Sequence, residues 1–524
     1  MQMTPLAKAM IVLTTVSAAI MELIDTSIVN VALNQISGNL GATIEDASWV
    51  ITAYAIANVI IIPMTGFLAK YFGRKNYYLT SIAIFTITSY LCGISHSLPE
   101  LVLWRFLQGI GGGALLSTSQ AILFDAFPPE KRGMAAGMFG LGVVIGPALG
   151  PTLGGIIVEN HNWPLIFDIN IPFGIIAFAL TYKFVDRKPE EYNINRSQQT
   201  IDWLGIIALT VGIGSLQYVL EKGQPNDWFE DANIKIFSFF AVVGIIGFIL
   251  WELYFEHPFI NLRVLKSRNL IGTNILNFVN GFGLFGSIFI FPVLTQRIFG
   301  YSPSEAGFAL VPGALAGMVC MITIGITLGK GVKPIYFVII GFIFFILHGY
   351  TSSLAIAESS RAWFIWPQIF RGIGTASLIV PLTQQAVVGL LPKDMPYGIA
   401  LTNMLRQLGG AFGIATMNTY IARRFAVHKI DLLTNLYPEN PLLQERLNGI
   451  AQNAIAKGAN SFDAANIANK MVDMAVTKQA YLQSYLDGFK FMAVFFICAL
   501  PVIFMLSTKK LDAASKKIAE ESAH

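Results

Sequence analysis

Glu22 and Asp25 stand three residues apart inside an apolar run, Ala9 to Leu33, and on a helix that spacing places both acids on one face. Charged side chains at bilayer depth are costly to insert and mark functional positions. Two carboxyls this close in low dielectric repel, so one of them is expected to hold a proton. The pair reads as a proton-loading site; the alternative is a structural acid tied to a basic residue on a neighbouring helix. Arg105 and Arg371 offer the opposite charge, each one turn from a glutamine, Gln108 and Gln368. A guanidinium stays protonated and needs a carboxylate or backbone carbonyls nearby. Arg105 beside Asp25 would sense that acid's protonation, whereas Arg371 reads equally as a tie between loops.

A second set of polar residues suits recognition rather than proton transfer. Asn274, Asn277 and Asn280 recur along one apolar run, and with Gln384, Gln385, Asn403, Arg406 and Gln407 they are expected to line a wet central cavity. Asn30 and Gln108 complete the expected substrate-binding set. Polar stripes also bind helices to one another in membranes, so glue is the competing reading. Phe278, Phe282, Phe285, Phe289 and Phe291 lie nearby, as aromatic surface for lipophilic substrates or as packing. Asp168, beside Asn170 and Pro172, is intramembrane without an assigned role.

Several chemistries are excluded. Gly109, Gly111 and Ala114 match a dinucleotide fingerprint, but no strand precedes them. Gly329-Lys330 is followed by Gly331 and lacks the upstream glycine of a phosphate loop. No metal-ligand cluster is visible, and Cys92, Cys320 and Cys498 stand singly, implying neither disulfides nor a metal site. No cofactor is expected, and energy must come from an ion gradient or from the substrate's own.

The elements that position these residues are membrane helices. The chain has 524 residues, 54% hydrophobic and 13% charged, which is the composition of a polytopic membrane protein. The net charge of +4 gives no sign of nucleic-acid binding. Apolar runs fall near 9–33, 48–70, 77–95, 100–125, 134–159, 163–184, 202–221, 236–255, 269–296, 304–329, 334–353, 361–391, 397–422 and 488–507. Each is long enough to cross about 30 Å of hydrocarbon, and fourteen transmembrane helices are expected. The first run is too long for a signal-peptide core and reads as a retained span.

Lysines and arginines orient the bundle. With the N-terminus cytoplasmic, inner loops hold Lys70, Arg74, Lys75, Lys131, Arg132, Lys183, Arg187, Lys188, Arg196, Arg263, Lys266, Arg268, Lys330, Lys333 and Lys393, and the two ends add Lys8, Lys509, Lys510, Lys516 and Lys517. The short outer loops hold only Lys222, Lys235, Arg297 and Arg361. Both termini are therefore expected in the cytoplasm. Residues 424–487 form a polar outward segment, broken by Pro438 and Pro441, in which Leu442, Leu443, Leu447, Ile450 and Ile455 have amphipathic-helix spacing. It reads as a solvated cap or a docking surface.

An internal repeat organises the whole. Residues 105–112 match 368–375 at a displacement of 263, and the same displacement pairs Pro129 with Pro392, Gly146 with Gly409, Ala148 with Ala411 and Gly150 with Gly413. Two six-helix halves follow, with the runs at 202–221 and 236–255 inserted between them. The expected divisions are 1–184, 185–268 and 269–524. Gly146, Gly150 and Gly154, with Pro147 and Pro151 beside two of them, lay a strip without side chains down one helix face. It is either a tight contact or a hinge between moving helices. Two repeats around a central site are the architecture of alternating-access carriers.

Four stretches resemble the major facilitator superfamily, and within it the 14-helix drug:proton antiporters of the EmrB type. They are LeuIleAspThrSerIleValAsnValAlaLeu (23–33), GlyPheLeuAlaLysTyrPheGlyArgLys (66–75), ArgPheLeuGlnGlyIleGlyGlyGly (105–113) and GlyValValIleGlyProAlaLeuGlyProThrLeuGlyGly (142–155). The likeness continues through 213–217, 251–252, 266–269 and 366–368. It implies an all-α fold of two six-helix bundles plus two inserted helices, in the bacterial inner membrane, exporting lipophilic compounds against protons. It implies Asp25 as the proton-linked acid, Arg105 as its coupling partner and Gly146, Pro147 and Gly150 as a bending contact. A periplasmic adaptor and an outer-membrane channel are implied partners in a diderm host. Lys70 stands where the superfamily's loop motif often has Asp, so a charge latch built on that position is not expected. An exporter of one defined metabolite, or a receptor using 424–487 as its surface, are the competing readings.

Overall fold

A computed structural model describes residues 4–128, 132–186, 202–255, 258–260, 262–390, 394–434, 436–437 and 439–506. The expected inner-loop and tail residues Lys131, Arg187, Lys188, Arg196, Lys393, Lys509, Lys510, Lys516 and Lys517, with Pro129, Pro392 and Pro438, lie outside these. Among the described residues every regular element is helical. The first half contains α1 (Pro5–Asn39), α2 (Trp49–Phe72), α3 (Arg74–Gly93), α4 (Leu98–Ala126), α5 (Arg132–Asn160) and α6 (Asn170–Phe184). A hairpin of α7 (Trp203–Lys222) and α8 (Ala232–Tyr254) follows. The second half contains α9 (Arg268–Phe299), α10 (Val311–Gly329), α11 (Pro334–Ser352), α12 (Ile365–Gln385), α13 (Met395–Leu433), α14 (Pro441–Ala456) and α15 (Ser461–Ala499).

Local sequence sets the helix starts. Thr4, Asp202, Asp231, Ser267 and Asn460 each accept a backbone N–H in the first turn of α1, α7, α8, α9 and α15, relieving donors that have no intrahelical partner. Pro63, Pro147, Pro151, Pro292 and Pro381 sit inside helices, which packed membrane bundles tolerate. Nine helices among the described residues are individually long and apolar enough to cross a membrane. The others, α3, α4, α5, α12 and α13, are long but diluted by glycine and polar side chains that face neighbouring helices.

The packing repeats as the sequence does. In the first half α1 packs on α5, α4 on α2 and α3, and α6 on α1 and α3; in the second half α9 packs on α13, α12 on α10 and α11, and α15 on α9 and α11. The halves meet along two equivalent seams, α5 with α10 and α2 with α13. The hairpin lies over the second seam. Leu209, Ile213 and Phe248 cluster there with Val59, Ile60 and Met64 of α2 and Leu401 and Leu408 of α13.

The glycine strip of α5 faces α1, the helix that carries the acids. A Cβ at Gly146 would lie 2.6 Å from Leu23 Cβ, one at Gly150 would strike Ser27 Oγ, and one at Gly154 would lie 2.8 Å from Ile28 Cγ1. Gly409 and Gly413 hold α13 against the Phe278 and Phe282 carbonyls of α9 in the same way. Pro147 and Pro151 are buried in this contact.

One expectation about boundaries is corrected. The runs at 163–184 and 304–329 stand as spans, Leu165–Phe184 and Pro303–Gly329, each with a short break after a first helix, Leu165–Asp168 or Pro303–Phe308. The segment 424–487 is mostly a continuation of α13 and α15, each 39 residues and so about 58 Å long at ~1.5 Å per residue, well beyond the bilayer core. Between them α14 supplies the amphipathic helix, with Leu442 75% and Ile455 47% exposed.

Candidate functional site

Asp25 is the hub of a fully buried polar cluster drawn from five helices. Arg105 of α4 donates Nη1–H to Asp25 Oδ2 at 2.5 Å and to Gln108 Oε1 at 2.7 Å, and its Nε–H donates to the Val50 carbonyl at 3.1 Å. Gln108 Nε2 donates to Asp25 Oδ1 at 3.0 Å and to Ser89 Oγ at 2.7 Å. Asn170 Nδ2 donates to Asp25 Oδ1 at 2.9 Å. The guanidinium lies over the Tyr54 ring, 4.1 Å from its centroid. An ion pair held this way, with its remaining oxygen satisfied by amides, is the arrangement in which burial of charge is tolerated.

Small residues make the cluster possible. Gly109 and Gly113 bring α4 against the Tyr54 and Asn58 carbonyls of α2, and Gly111 brings it against the α3 backbone at Ser81 and Phe85. The fingerprint spacing of these glycines therefore serves close packing. At the end of α4, Asp125 pairs with Arg74 at the start of α3, while Lys70 is exposed; the pair joining these two helices uses positions other than 70.

Glu22, one turn before Asp25, is differently placed. Its Oε1 accepts from Asn58 Nδ2 at 3.0 Å, and its Oε2 is buried without a hydrogen-bond partner. Arg406 of α13 lies close enough for the two charges to interact. Arg406 donates Nη2–H to Asn403 Oδ1 at 2.9 Å, and Asn403 Nδ2 donates across the molecule to Ser117 Oγ and Gln120 Oε1 of α4, both at 3.1 Å. Tyr54 lies close to both acids, with its buried hydroxyl beside Asn58.

The structure thus brings Glu22, Asp25, Arg105, Gln108, Asn403 and Arg406 to the centre. Gln108 belongs to the acid cluster. On α9, Asn274 Oδ1 accepts from Thr402 Oγ1 at 3.0 Å, Asn277 Nδ2 donates to the Thr273 carbonyl at 3.0 Å, and both side-chain polar atoms of Asn280 are buried without partners. Gln384 is buried. Asn30 is exposed, with its Nδ2 on the Ser27 carbonyl at 3.4 Å, apart from the cluster. Phe282 and Phe291 are core residues of the second half. Asp168 lies where a Cβ on Gly93 would meet its Oδ1 at 2.8 Å. Ser89, Asn58, Asn170, Ser117 and Gln120 join the site without a motif or spacing that marks them in the sequence; each is a polar side chain inside an apolar run, and that is their only signal.

In this conformation both ends of the α5–α10 seam are closed. Gly137 and Gly140 abut Met321 at one end, and Gly155 abuts Ser304 at the other, where Ser304 Oγ donates to Glu159 Oε2 at 2.8 Å. A charged cluster sealed at the midline of two seam-joined repeats defines a polytopic membrane transporter of all-α build.

A family model described as Major Facilitator Superfamily matches residues 15–414. The chain is 34% identical to the multidrug export protein EmrB of Escherichia coli (strain K12), over 84% of this chain and 86% of that one. It is 32% identical to the fatty acid resistance protein FarB of Neisseria gonorrhoeae, over 93% and 94%. The solved proton:xylose symporter XylE superposes with a TM-score of 0.59 at 13% identity, covering 98% of this chain and 99% of that one, which establishes the shared fold. The chain belongs to the major facilitator superfamily, grouping within it with the EmrB export proteins, and is a transporter rather than an enzyme.

Proposed function

We propose that this protein is a proton-coupled antiporter that exports lipophilic toxic compounds across the bacterial inner membrane by alternating access. The observation that carries the reading is the Asp25–Arg105 pair, held inside a satisfied amide cage one turn from an acid whose free oxygen lies near a cation of the opposite half. Protonating Asp25 removes the counter-charge of Arg105. The guanidinium, Gln108 and Asn170 must then find other acceptors, and the packing of α1 against α4 changes with them. Glu22 and Arg406 couple the same event across the seam: a neutral Glu22 releases its hold on α13, while a charged one draws the halves together. Protons load from outside and leave to the cytoplasm, and substrate enters between α1 and α9 as they leave.

Asn274, Asn277, Asn280, Gln384, Asn403 and Arg406 supply polar contacts to the substrate, with Asn30 at the cavity's margin. The relatives' names, multidrug export and fatty acid resistance, support a lipophilic substrate class. Fourteen spans, cytoplasmic termini and the divisions 1–184, 185–268 and 269–524 complete the reading. The extended ends of α13 and α15 with α14 supply an outward docking surface for a periplasmic adaptor leading to an outer-membrane channel.

The test is drug-induced proton release from the purified, detergent-solubilised protein. Release is expected from the wild type and is expected to fall by an order of magnitude in Asp25→Asn. Absence of release in the wild type, across a panel of lipophilic cations and acids, would rule the mechanism out; release with one compound alone would mark a narrow-specificity exporter.

A further inference from the structure

The inserted hairpin carries a second pair of acids, away from the Asp25 cluster. Asp202 caps α7, its Oδ1 accepting the Gly205 backbone N–H at 2.8 Å and the Trp251 Nε1–H of α8 at 2.8 Å. Glu252, next to Trp251, is fully buried. A Cβ at Gly205 would lie 2.6 Å from Asp202 Oδ2 and 2.9 Å from Glu252 Oε1, so both carboxyls converge over this one glycine. Asp202 Oδ2 is buried without a hydrogen-bond partner, and the buried Glu252 carboxylate is met by the Ile260 backbone N–H. The groups facing Glu252 are Asp202, the Ile260 backbone N–H and, from α13, Tyr397, itself beside Asp394. Among the described residues no lysine, arginine or histidine pairs with either acid.

Two buried carboxylates side by side, with no cation paired to them among the described residues, are an unfavourable arrangement. One proton relieves it twice, by cancelling a charge and by forming an O–H···O bond between the two carboxyls. We propose that Asp202 and Glu252 form a second proton-binding site, holding one shared proton while the hairpin is closed over the α2–α13 seam. When the seam parts, water reaches the pair, the carboxyl O–H bond breaks and the proton passes to water. Two solvated carboxylates remain, and the hairpin recloses only after one is protonated again. The inserted helices thereby make seam closure sensitive to pH on their own side, with low pH favouring the closed form.

Infrared difference spectra of the purified full-length protein between acid and alkaline pH read buried protonated carboxyls through their C=O stretch. The wild type is expected to show a band that Glu252→Gln removes and that Asp25→Asn and Glu22→Gln leave in place. Trp251→Phe deletes the N–H that Asp202 accepts. The carboxylate form loses that donor, so the band should persist to higher pH, by roughly one unit. A band unchanged in Glu252→Gln overturns the proposal, and so does a band displaced by sodium or potassium at fixed pH, which would mean a cation site. Should Glu252→Gln not fold, the Trp251→Phe profile decides alone, and an unshifted profile refutes the shared proton. The measurement needs neither drug nor transport, so this site and the export mechanism can fail separately.

Discussion

At the scale of single residues, the central question is what a buried ion pair is for. Asp25 and Arg105 are both at most 1% exposed, and removing one partner of such a pair strands the other, typically at about 3–5 kcal/mol. Asp25→Asn keeps the shape and removes the charge, so it should lower thermal stability by an amount in that range and abolish proton release. Arg105→Gln should destabilise similarly. The double variant should recover much of the loss, because neither charge is then stranded; a melting-temperature cycle measures the coupling. Strictly additive losses would mean that the two residues act independently and that the short contact contributes little. The acid and the arginine were legible in sequence because charge inside an apolar run stands out. Their cage was not, since Ser89 and Asn170 are unremarkable until three helices bring them to one carboxylate.

Among elements, the α1–α5 contact is the one whose geometry makes a graded prediction. A Cβ at Gly146 would come within 2.6 Å of Leu23 Cβ, whereas one at Gly142 would stand 3.2 Å from Ile20 Cγ1. Gly146→Ala must push apart two backbones that have no slack, and overpacking of this kind costs about 1–3 kcal/mol. It should reduce transport in everted vesicles several-fold, while Gly142→Ala stays near wild type. Gly409→Ala in the second half should mimic Gly146→Ala, since its Cβ would strike the Phe278 carbonyl. Equal tolerance at positions 142 and 146 would reduce the strip to a passive contact. The four-residue glycine spacing and the displacement of 263 both announced these paired contacts, because close approach leaves a mark in composition. The length of α13 and α15 left no such mark. Hydropathy falls where a helix leaves the bilayer, but backbone hydrogen bonding does not, so a polar stretch that reads as a loop continues as helix.

For the whole molecule, the decisive relation is between halves, and sequence is least informative there. The repeat announces two bundles but not which side chains cross between them; the Asn403 amide reaching Ser117 and Gln120 at 3.1 Å joins residues 286 and 283 positions apart. Nor does the repeat say that the α5–α10 seam is closed at both ends at once. If transport requires this seam to part, fixing one end must stop it without unfolding anything. Glu159 and Ser304 are side-chain partners at 2.8 Å, and cysteines placed there can be joined by a short bismaleimide, in a background where the exposed Cys498 is serine. The cross-linked protein should melt no lower than its parent, bind a fluorescent lipophilic substrate from the opposite side, and transport none of it. The same double-cysteine protein left unlinked should transport normally, since it loses only the two exposed hydrogen bonds between Ser304 and Glu159. Transport that continues after complete cross-linking would mean that the halves do not separate at that end, and the proton cluster would then have to act on something other than the opening of this seam.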